Sequence, residues 1–211
     1  MPRFDRLRLS HKFTILGIIA LLMSAFPTAL YYHHTAPLIG TAEREARGVT
    51  PLVALQEVVR LTQQHRGVSA GMLGGNSVLA GKWPATRDAL EKAIQATDAG
   101  LKAASASTRI ESAWAAHKQR WNTLAQAVAA KQLNPAESSA RHTQLIAGLL
   151  ALNTNLLDDY ALSLDPKADS HALIMGSFVS APGLAEKLGQ LRAQGTGFLA
   201  TGNLPPESRV S

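Results

Sequence analysis

From Phe13 to Leu30 the chain reads FTILGIIALLMSAFPTAL, a run without one charged residue. Crossing about 30 Å of hydrocarbon at about 1.5 Å per residue takes roughly 18–20 helical residues, so this run is just long enough. A lone segment in lipid must satisfy its backbone internally, which makes it a helix. Tyr31 and Tyr32 follow at once, where an interfacial aromatic belt belongs. A cleaved signal peptide is the rival reading. The run is long for such a core, however, and no small-x-small cleavage site ends it. A core helix of a soluble protein fits worst, because every face of the run is apolar.

The formal net charge is +6, and half of it lies before the apolar run. There Arg3, Arg6, Arg8 and Lys12 face a single acid, Asp5, and the far flank carries no Lys or Arg until Arg44. A basic chain can signal nucleic-acid binding, but charge beside an apolar span sets membrane orientation instead. No nucleic-acid partner is expected. The expected organisation is a cytoplasmic basic tail over residues 1–12, a transmembrane helix over 13–32, and a periplasmic helical domain over 33–211. That places the chain in a bacterial inner membrane, with the lipid bilayer as one partner.

The outer part is rich in alanine and leucine, with only 5% aromatic residues and no strand-like alternation. The expected class is all-α: one transmembrane helix, then an antiparallel, four-helix-type bundle. A helix is expected from about Thr41 to Gly74. Its seam is Leu52, Leu55, Val59, Thr62, Arg66, Ser69 and Leu73, turning polar in its upper half. Gly71, Gly74, Gly75 and Asn76 should end it. Trp83-Pro84 reads as the next start. Thr108 with Glu111, and Asn134-Pro135 with Glu137, read as capping boxes. Asp165-Pro166 reads as a further start, with Asp169 in the first turn. The last seam runs through Ile174, Ser177, Ala181, Leu184, Leu188, Leu191, Gly195 and Phe198, with Pro182 expected to bend it. Gly202-Asn203 should close it, and Pro205-Pro206-Glu207 reads as the start of a helix cut off at Ser211. With no second long apolar run, the domain is expected to be incomplete at its C-terminus.

Two stretches carry a resemblance. LTQQHRGVSAGMLGGN (Leu61–Asn76) contains Q-x-x-R-G-x-S before a glycine-rich break, and SLDPKADSHALI (Ser163–Ile174) contains L-D-P-x-x-D-S-H-x-L. With Leu184–Gly202 and the N-terminal anchor, they resemble the sensor regions of methyl-accepting chemotaxis proteins and of related membrane-bound diguanylate cyclases and histidine kinases. More loosely, the chain resembles nitrate- and nitrite-sensing helical domains, which bind the anion with arginines from a bundle. Only Arg66 matches such a place. The resemblance implies a sensing, non-enzymatic role in chemotaxis signalling, a homodimer, and a small anion or organic acid as ligand.

Arg66 is the residue most in need of a partner, since an arginine on a bundle seam is costly to bury alone. One reading pairs it with Asp165 or Asp169, helped by Ser69 and Asn153. The other makes it the anchor of a ligand carboxylate or oxyanion, which a planar guanidinium suits. The candidate ligand set is therefore Arg66, Ser69, Thr62, Asn153 and Asp169. His65, next to Arg66, should point to the surface. His117, between Trp114 and Trp121 on one face, should be a partly buried core histidine. His33-His34 has no third ligand at helical spacing, so no metal is expected. Cysteine is absent, and no catalytic set or phosphate loop stands out, so neither enzyme activity nor a cofactor is expected.

Overall fold

The computed structural model describes residues 8–201, with side chains through residue 193. The described residues are helical, without a strand. The helices are α1 (Leu9–Leu73), α2 (Ser77–Ala103), α3 (Thr108–Ala129) and α4 (Pro135–Asp159), then α5 (Ala168–Met175) and α6 (Ala181–Thr201). A 3-10 turn (Leu162–Leu164) precedes α5, and a π turn (Gly176–Ser180) joins α5 to α6. The all-α class read from composition is the class found. Most of the basic tail, the end at Gly202-Asn203 and the start at Pro205 lie outside the described residues.

The fold divides into two compact units, Met1–Arg44 and Glu45–Ser211. The first holds the apolar run, and it is the part of α1 long and apolar enough to cross a membrane. None of that window is buried; Phe13, Leu16, Leu21, Leu22, Met23 and Phe26 all present open side chains. No new helix begins at Thr41, because α1 runs unbroken through it.

In the second unit the predicted seam of α1 is buried from Leu52 to Ser69, and its neighbours Leu61, His65 and Val68 are buried with it. The buried stripe is thus wider than one seam, as for a helix packed on several sides. α1 ends in a Schellman turn: Asn76 N–H reaches the Gly71 carbonyl at 2.9 Å, and Gly75 takes φ +89°. Asn76 then caps α2 through Leu79 N–H, so α2 starts before Trp83 and encloses Pro84. Asn134 and Glu137 form the capping box of α4. The other expected box shifts by one residue: Ser107, not Thr108, takes the cap position, and its hydroxyl donates to Asp159 instead.

Trp83, Leu90, Ile110, Trp114, Trp121, Val128, Ile146, Leu149 and Leu156 fill the space between the helices. Gly148 lets α4 approach the His117 ring, where a Cβ would lie 2.5 Å from a ring carbon. His117 is half-buried, as expected.

Where the sequence predicts a bend at Pro182, the backbone shows a π turn just before it. Proline has no N–H, so the Phe178 carbonyl four residues back loses its helical donor. Asn153 Nδ2 (2.6 Å) and Gln56 Nε2 (3.1 Å) donate to that carbonyl instead. Of the apolar seam predicted for α6, Leu184, Leu188 and Leu191 are 62%, 56% and 63% exposed, and Gly195 and Phe198 lie beyond the described side chains.

Candidate functional site

Arg66 is buried, and its partner is an acid the sequence did not single out. Arg66 Nη1 lies 2.6 Å from Glu186 Oε1 and Nη2 lies 3.2 Å from Oε2, a bidentate pair with side chains 7% and 6% exposed. Nη1 also donates to Thr143 Oγ1 at 2.9 Å. Gln63 Nε2 donates to Oε2 at 3.0 Å, and Gln190 Nε2 to Oε1 at 2.7 Å. Each carboxylate oxygen therefore accepts two N–H groups, which satisfies a buried charge in its plane. Gly189 sits against the guanidinium; a Cβ there would come 3.0 Å from Nη2.

The expected partners of Arg66 are elsewhere. Asp169 is exposed in the first turn of α5, and Asp165 accepts from Lys167 N–H at 2.8 Å in a local turn. Both acids begin the helical run that ends in α6, whereas contact with Arg66 is made after Pro182, further along. Asn153 is buried but holds the Phe178 carbonyl and accepts from Gln56 at 3.3 Å. Thr62 is buried and donates to the Val58 carbonyl of its own helix at 2.7 Å. Of the motif Q-x-x-R-G-x-S, Gln63 and Arg66 thus meet at one carboxylate.

Ser69 belongs to a second polar cluster, built on His65. Far from pointing to the surface, His65 has no exposed area. Its Nδ1 lies 2.8 Å from His142 Nε2 and 3.1 Å from Ser69 Oγ, which accepts from Trp83 Nε1 at 3.1 Å. His142 Nδ1 lies 2.7 Å from the Ser138 carbonyl. A carbonyl only accepts, so His142 Nδ1 carries the proton and its Nε2 receives one from His65 Nδ1. That leaves the His65 Nε2 lone pair buried without a hydrogen bond. The ring packs edge-on to Trp121, with centroids 4.8 Å apart. Burial lowers the pKa of His65 to about 3, helped by the nearby charges of His142 and Arg87. Burial lowers that of His142 to about 4, against the Ser138 bond and with help from Arg66. Both rings are therefore neutral near pH 7. Among the described residues no group of three or more His, Cys, Asp or Glu side chains could hold a metal.

The second unit is a helical bundle with a buried guanidinium held bidentate by a planar carboxylate, and it belongs to the class of extracytoplasmic sensor domains used in signalling proteins. The chain belongs to the nitrate- and nitrite-sensing (NIT) family, whose model matches residues 57–211, most of the chain and both polar clusters. Sensor domains of this family occur in signalling proteins that include histidine kinases and cyclases. No curated protein and no solved structure matches the chain.

Proposed function

We propose that this chain is the sensing part of a transmembrane receptor of the methyl-accepting chemotaxis type, and that Arg66 is the group through which it detects a small planar oxyanion. The observation that carries the reading is the guanidinium itself, buried and bidentate toward a planar charge, in a family described by nitrate and nitrite sensing. The positive-inside rule supports a cytoplasmic N-terminus, with the bundle in the periplasm of a bacterial inner membrane. The domain acts by binding and has no enzymatic step. A second output, a diguanylate cyclase or histidine kinase, is favoured by the range of proteins that carry such domains.

The test is thermal unfolding of the full chain in nanodiscs with nitrate, nitrite, formate, acetate or chloride at matched ionic strength. A ligand that binds only the folded state raises Tm by mass action, about 2.7 kcal/mol of stabilisation at a hundredfold excess over Kd. Nitrate or nitrite should raise Tm where chloride does not. Equal curves in all five salts would remove the anion reading.

The receptor is further proposed to be a homodimer. Val49 and Val53 of α1, and the leucine row of α6, leave apolar surface that a second copy would cover. Single cysteines placed from Thr41 to Val49, in a chain with none of its own, should give disulfide-linked dimers in membranes. No crosslink at any of these sites would argue for a monomer.

A further inference from the structure

Between Ala181 and Ala193 only one side chain is buried, and it is the carboxylate of Glu186. The leucines that would normally seat an amphipathic helix, Leu184, Leu188 and Leu191, face outward. Over this described stretch of α6, the buried contact with the bundle is therefore a polar one, made to the guanidinium proposed to take the anion.

That contact is complete. Glu186 takes two N–H groups from Arg66, one from Gln63 of α1 and one from Gln190 of its own helix, and its charge balances that of Arg66. Its O–C–O plane has the shape of the O–N–O plane of nitrite or of one edge of nitrate. A second anion cannot join it, because one guanidinium would then face two negative charges in a water-poor site.

We propose that Glu186 is a tethered stand-in for the ligand. It closes the anion seat in the resting state, and a diffusible planar monoanion displaces it and so unlatches α6. The proposal rests on the reading that Arg66 takes an anion, and it adds how occupancy becomes movement. The π turn at Gly176–Ser180, with Pro182 beyond it, is where the released helix would pivot, since the regular bonding pattern is already interrupted there. The ligand shifts the equilibrium only as far as it binds the unlatched state better than the latched one. An internal competitor also weakens apparent affinity by the fraction of time the seat is closed.

The test uses full-length chain in nanodiscs, as wild type and as Glu186→Gln. The glutamine keeps the shape and can still accept from Gln63, but it brings no charge. Nitrate titrations followed by calorimetry, with chloride as control, should show the variant binding tighter by on the order of tenfold or more, because the closed fraction is removed. Spin labels on Leu188→Cys and Ala140→Cys report α6 against α4. Saturating nitrate should move or broaden the wild-type distance distribution toward that of the glutamine variant. Should the variant not fold, the wild-type distance measurement decides alone. A folded variant that binds nitrate no tighter than wild type, or a distance unmoved at saturation, overturns the latch and leaves anion sensing standing. Failure of both proteins to bind nitrate, nitrite or formate removes the sensing reading and the latch with it.

Discussion

Replacing Arg66 with methionine is expected to destabilise the folded chain by about 3–5 kcal/mol, the range for breaking a buried ion pair from one side. Methionine fills similar space, so the loss is not a cavity. It comes from the Glu186 carboxylate, which would stay buried with only Gln63 and Gln190 as donors. The matched double change, Arg66→Met with Glu186→Leu, should recover most of the loss, because an apolar pair can replace a buried ion pair at little or no cost. It would also put an apolar side chain at the one buried position of the described part of α6. Urea unfolding in detergent, followed by circular dichroism, measures all three proteins. A single variant within about 1 kcal/mol of wild type would mean the pair is as loosely held as an exposed one. The double variant, stable but without a guanidinium, should show no nitrate-dependent rise in Tm. That result separates the structural role of the pair from its role in binding.

The sequence revealed the elements better than the contacts among them. Helix ends were legible where a side chain must do a specific job. Asn134, Pro135 and Glu137 form the box their spacing predicts, and Gly75 supplies the left-handed turn. Ends were misread where a neighbour competes for the capping group. Ser107 gives its hydroxyl to Asp159, fifty-two positions away, and no local pattern records that. Other turns place Ser105, Lys131 and Ala161 at positive φ without a glycine to mark them.

The site was half legible. Arg66 stood out because a charge on a seam needs an explanation, and it proved buried. The sequence offers Asp165 and Asp169, at the start of the last helical run, as its partners. Glu186 lies off the predicted leucine seam, and nothing local in the sequence marks it. The π turn and Pro182 change which face of α6 meets α1, and periodicity assumes a regular helix. His65 was misassigned for a related reason. Adjacent residues on a helix point apart, so a seam position for Arg66 predicts a surface position for His65. α1 is covered on more than one side, and both are buried.

Acid should destabilise this bundle earlier than its carboxylates require. An unfolded histidine titrates near 6.5, whereas His65 and His142 in the folded chain titrate near 3 and near 4. A folded pKa below the unfolded one means that the stability is fully present above about pH 6.5 and is lost as pH falls toward the folded values. Between those limits the unfolded chain binds two protons that the native cluster refuses. The slope is about 2.7 kcal/mol per pH unit, so roughly 3–4 kcal/mol should be gone by pH 5. His117, lowered by burial and by Arg120, adds in the same direction. The physical cause is specific. The His65 Nδ1 proton is committed to His142, and a proton added at His65 Nε2 would sit without an acceptor against the Trp121 ring. Arg87 opposes added charge on His65, and Arg66 opposes it on His142. Melting curves of the full chain at pH 7, 6 and 5 in one detergent should show a steep fall. His142→Gln should melt lower at pH 7 but lose stability less steeply with acid, since one of the two refused protons is gone. Curves that superimpose from pH 7 to pH 5 would mean that the pair already exchanges protons with water, and the buried wire from Ser138 to Trp83 would have to be abandoned.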